Sequence, residues 1–87
     1  MKLGDLCDVR INFPEADFWI QNKGTDIGSP TETFSAELIG VKVTATDQLV
    51  PKYLYYWFQY IQGQGLFKDV SLLRARDIKN MLVEMRS

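Results

Sequence analysis

The stretch from Pro51 to Gln62, PKYLYYWFQYIQ, limits what this chain can become more than any other segment. Pro51 suits the first turn of a helix, where its missing N–H is not needed, and Asp47 just upstream is expected to help cap the entry. Leu54, Trp57, Phe58 and Ile61 recur at i, i+3, i+4 and i+7, the spacing of a core-facing stripe. Lys52, Tyr55, Gln59 and Gln62 fall roughly opposite and are expected in solvent. Tyr53, Tyr56 and Tyr60 make a third strip along one flank. Gly63 is expected to end the helix in the left-handed conformation, with Gln62 to Gly65 a flexible turn.

The flanking segments predict strands. Leu3, Leu6 and Cys7 fit one short helical turn, and Val9 with Ile11 then alternates as a strand does. Phe13-Pro14 closes that segment, because a proline pushes its predecessor out of the helical region. Asp17 to Asn22 (DFWIQN) is aromatic and suited to a strand. Lys23 to Thr33 (KGTDIGSPTET) holds two glycines, a proline, a serine and three threonines, which mark a loop. Phe34 to Thr46 carries the clearest strand, through Ile39, Val41, Val43 and Ala45, with Gly40 a candidate bulge. Ser71 to Asn80 predicts a turn and a short helix over Ala75 to Lys79, ended by Asn80 in a left-handed conformation. Met81 to Met85 predicts a last strand. The expected fold is α+β: a small mixed or antiparallel sheet packed on one long aromatic-rich helix, plus a short C-terminal helix.

Eighty-seven residues make a single domain, 1–87. Ten basic and eleven acidic residues give a net charge of −1, which excludes a strongly electrostatic nucleic-acid binder and an acidic DNA mimic alike. With no histidine, the usual general base, zinc ligand and nucleophile partner are missing, so an enzyme is not expected. No metal or small-molecule cofactor is expected either. Asp5, Asp8, Glu15 and Asp17 follow no ligand spacing. The lone Cys7 reads as a core residue. One cysteine and no long apolar run predict a cytoplasmic protein without a membrane partner.

Three segments, in this order, resemble one family. KLGDLCDV at the start, IGVKVTATDQLVPKYLYYWFQYI from Ile39 to Ile61, and LLRARDIKNMLV from Leu72 to Val83 are similar to the target recognition domains of type I restriction-modification specificity subunits. In that family, paired recognition domains and helical spacers read a split DNA target and hold the methyltransferase subunits. The chain is shorter than such a domain and lacks the proline-rich exit and the spacer. The resemblance therefore implies a homo-oligomer, one half of a composite reader beside a restriction-modification subunit, or a repurposed domain of a phage or mobile element.

Three groups are candidate contacts. In the Lys23–Thr33 loop, Lys23, Thr25 and Ser29 suit phosphate or base-edge contacts in duplex DNA. Lys68, Arg74, Arg76 and Lys79 form the densest basic cluster and suit a phosphate backbone. Tyr53, Tyr56 and Tyr60 suit a protein interface, since tyrosine supplies contact area at low entropic cost. The alternative to DNA recognition is a protein-interaction or self-assembly domain that keeps this fold without binding DNA.

Overall fold

Apolar alternation in the strands and one broad apolar helix face assemble an α+β domain. The computed structural model describes residues 2–82. A 3₁₀ turn over Leu3–Asp5 leads into β1 (Cys7–Ile11), then β2 (Phe18–Ile20), β3 (Pro30–Thr31) and β4 (Ile39–Val43). The helices α1 (Pro51–Gly63) and α2 (Ala75–Lys79) follow. The four strands form one sheet in the order β1-β4-β2-β3, with every pairing antiparallel.

The registers explain which side chains meet. Val9 lies opposite Val41 and Cys7 opposite Val43, while β2 sets Phe18 opposite Val41 and Ile20 opposite Ile39. Because side chains alternate along a strand, this row faces one side of the sheet, against α1. Leu54 and Phe58 of α1 are fully enclosed there, with Leu3, Leu6 and Ile78 closing the edge. Phe58 lies 5.9 Å from Phe18 between ring centroids. The other side of the sheet carries a smaller apolar layer. Trp19 is buried beneath Phe13, and its indole N–H donates to the Phe13 carbonyl at 2.9 Å. The Arg10 guanidinium sits 4.3 Å from the Phe13 ring centroid.

Several local expectations change. Gly40 is not a bulge: it pairs in regular register with Arg10 and with Trp19. A Cβ there would stand 2.7 Å from the Cβ of Phe13 and 3.0 Å from that of Ala16, so the turn crossing the sheet requires a glycine. The N-cap of α1 is Val50 in extended conformation with no side-chain cap, so Asp47 does not cap it. Gly63 is still helical, and Gly65, at φ +81°, takes the left-handed position. The N–H of Gly65 donates to Gln62 and that of Leu66 to Ile61, the paired bonds of a Schellman ending. Asn80 stays right-handed at φ −86°. Tyr55, expected in solvent, is half-buried and meets Phe18 edge-on at 5.6 Å, while Trp57 and Ile61 are only half-buried at the stripe's margin. At Met81 and Leu82 the chain pairs back to the start: Leu3 N–H donates to Met81 at 2.9 Å, and Lys2 bridges Leu82. The remainder of the expected Met81–Met85 strand lies outside the described residues.

Candidate nucleic-acid interface

Extended backbone at the end of β2 must satisfy its polar groups before it can carry function. The Gln21 N–H donates to Ser29 at 3.0 Å, and the Gly28 N–H donates back to Gln21 at 2.8 Å. The Lys23–Thr33 stretch is therefore a closed hairpin containing β3, not an unstructured loop. Ile27 is buried beneath it, and Gly28, at φ +86°, lies under the Phe67 ring. Lys23 and Thr25 stay exposed, and Ser29 is half-buried with its N–H donated to Asp26 at 2.9 Å.

Distant parts of the chain meet at this hairpin. Lys23 bridges Leu72 in antiparallel fashion, and the Leu73 N–H donates to the Asn22 carbonyl at 2.8 Å. That pairing sets Lys23 opposite Leu72, two residues before Arg74, the N-cap of α2. Phe67 packs on Gly28, and the adjacent Lys68 is exposed. The Arg74 N–H donates to the Asp77 carboxylate at 2.9 Å, which ties that acid to the start of α2. Arg76 and Lys79 are exposed three residues apart on α2, and the Lys79 stem runs beside Gly4. Lys23 is thus tied through Leu72 to the segment that leads into Arg74, whereas Lys79 lies toward the N-terminal turn. The one ion pair among the described residues is Arg10 with Asp8 at 2.9 Å, which leaves these five cations unpaired within that set.

Tyr53, Tyr56 and Tyr60 are 48%, 54% and 64% exposed, a row along α1 away from the sheet. Cys7 is buried, and burial, then the nearby Asp17 carboxylate, push its thiol up to about 11. Asp17 itself accepts from the Val43 N–H at 2.8 Å, a structural use of that acid. Among the described residues, no three Cys, Asp or Glu side chains converge as metal ligands. No helix among them is long and apolar enough to cross a membrane.

A cleft of about 300 Å³ opens between the hairpin and the segment before β4, lined by Gln21, Thr31, Thr33, Phe34, Ser35 and Glu37. Phe34 is 43% exposed, and its ring meets Trp19 at 63° with centroids 5.7 Å apart. Asn22 donates to the Glu37 carbonyl at 2.9 Å and fixes the far wall. No periodic pattern links Gln21 to Phe34. The available signal was an apolar ring at Phe34 within a polar run. Comparison of the chain with protein-family models, curated proteins and solved structures gives no match.

Proposed function

We propose that the chain is a DNA-recognition module similar to a type I restriction-modification specificity domain, working in the cytoplasm as an oligomer or within a larger complex. The observation that carries this reading is the Lys23–Leu72 pairing. It joins the hydroxyl-bearing hairpin to the basic Arg74–Lys79 segment, two regions remote in sequence. Cations there contact phosphates, and hairpin side chains reach toward base edges. With about three phosphate contacts, affinity falls with salt at a logarithmic slope of about −2.7, so a fourfold rise in salt weakens binding roughly 40-fold. A net charge of −1 adds no long-range attraction, so binding is tight enough to measure only at low salt. A fluorescence anisotropy titration with pooled random duplexes at two salt concentrations tests this. Binding at micromolar protein in low salt is expected, with Lys23→Ala and Arg74→Ala each lowering the slope by about 1. No binding at low salt refutes the reading.

A second reading rests on the exposed tyrosine row of α1. Three aromatic side chains left in solvent favour a protein partner or self-assembly. Light scattering on the wild type and on a Tyr53/Tyr56/Tyr60 triple alanine variant separates the two. An oligomer that the triple variant breaks supports a tyrosine interface, and a monomer in both removes it.

A further inference from the structure

The outer face of α1 is nearly free of charge. Lys52, Tyr53, Tyr56, Gln59, Tyr60 and Gly63 fall within one arc of the helix, and all are exposed. Lys52 is the one charged residue of the helix, and among the described residues it forms no ion pair. It stands in the first turn, at the positive end of the helix macrodipole. The first turn carries no acidic residue and the last turn no basic one. The helix thus has its cation at the end that repels it and none at the end that would hold it.

We infer that, resting on the tyrosine-interface reading above, the partner of this face is a second copy of the chain, its α1 laid antiparallel across a two-fold axis beside Tyr56. Tyr53 and Tyr60 lie equally far from a midpoint next to Tyr56. A two-fold axis at that midpoint sets each Tyr53 opposite the partner's Tyr60 and brings the two Tyr56 side chains together. The same operation carries each Lys52 to the level of Ile61, in the last turn of the other helix, where a cation is favoured. The two lysines then stand about 14 Å apart along the axis, beyond the screening length of about 8 Å. A parallel pair would instead set them side by side, with helix axes about 8–10 Å apart and both dipoles aligned. Three tyrosines about half-exposed present roughly 300 Å² per copy. With Lys52, Gln59 and the surface at Gly63, two copies bury about 1,000 Å² in all, the lower limit for a specific interface. The pair is therefore weak, with a Kd on the order of 10 μM or above.

Sedimentation equilibrium of the full chain, from about 5 μM to about 1 mM, tests for a monomer–dimer equilibrium with a Kd in that range. Tyr60→Ala, at a position 64% exposed, should weaken the dimer roughly 10-fold or more, with the urea midpoint of the dilute chain unchanged. Lys52→Gln should weaken it about 3- to 30-fold, because two dipole contacts are lost at once, and high salt should shrink that difference. Disulfide trapping under mild oxidation reads the orientation. Cys7 is buried, so the introduced thiols are the ones that react. Gly63 accepts a side chain, since a Cβ there meets nothing within 4 Å. Mixed Lys52→Cys and Gly63→Cys chains should link to each other, while Lys52→Cys alone should not link to itself. A self-linked Lys52→Cys chain, absence of the mixed link, or a dimer as strong with Lys52→Gln overturns the antiparallel pair and leaves tyrosine-mediated self-assembly standing. A chain still monomeric at about 1 mM, or a dimer that Tyr60→Ala leaves unmoved, overturns both.

Discussion

Replacing Gly28 by alanine probes the joint that holds the candidate DNA hairpin to the rest of the fold. The residue sits at φ +86°, where an L side chain is strained by about 1–2 kcal/mol. A Cβ at Gly28 would also stand 2.0 Å from Cδ2 and 2.4 Å from Cε2 of Phe67, inside the ring's van der Waals surface. Phe67 is 6% exposed and cannot swing freely, so displacing it adds about 1–3 kcal/mol of overpacking. Together the change costs about 3 kcal/mol, against a total stability of roughly 4–13 kcal/mol for a domain of this size. The two causes separate in a double-mutant cycle. Phe67→Ala alone costs about 3–5 kcal/mol, but it removes the clash and leaves only the backbone strain at position 28. Gly28→Ala should therefore cost about 1–3 kcal/mol less in the Phe67→Ala background than in the wild type. Urea denaturation, with an osmolyte added to keep the double variant folded, measures all four corners. An equal cost of Gly28→Ala in both backgrounds would refute the reasoning, because the ring would then not be what the new methyl meets.

Two further outcomes follow from the same geometry. Gly40→Ala drives a methyl into Phe13 and Ala16 and should lower stability by about 1–3 kcal/mol. For a domain of this length that is a fall in Tm of about 4 °C or more in a thermal melt, and an unchanged Tm would contradict the packing described. Cys7, whose thiol rises from 9.0 to about 11 in the fold, binds its proton more tightly folded than unfolded. Its contribution is complete below pH 9 and is lost as pH rises toward 11, so Cys7→Ala should flatten the stability profile across that window. A profile of the same steepness in that variant would assign the loss to other groups.

How far the sequence carried the fold can be seen at particular residues. Leu54 and Phe58 were legible because helical periodicity alone places them on one face, and Val9, Val41 and Val43 because strand alternation does. Periodicity alone places Tyr55 in solvent, because it gives an angle and not the width of what the helix packs on. Phe18 reaches far enough round to take it. Glycine positions were legible as punctuation but not in meaning: Gly65 rather than Gly63 turns left-handed, and Gly40 serves close packing by the Phe13–Ala16 turn. Within the candidate site, Lys23 and Arg74 were visible as cations. The link between their segments was not, since it comes from a single antiparallel bridge between residues 23 and 72. Gln21 and Phe34 share no pattern in the sequence, because the β2–β3 pairing and the Trp19–Phe34 ring contact are what bring them to one cleft.

The central claim is that the hairpin and the Arg74–Lys79 segment form one DNA-contacting face. Backbone amide NMR of the ¹⁵N-labelled chain titrated with a short duplex at low salt tests it most directly. The amides of Lys23 to Ser29 and of Leu72 to Lys79 should shift together along one binding curve, while those of Tyr53, Tyr56 and Tyr60 stay in place. Shifts confined to the tyrosine row, or none at saturating duplex, would contradict it.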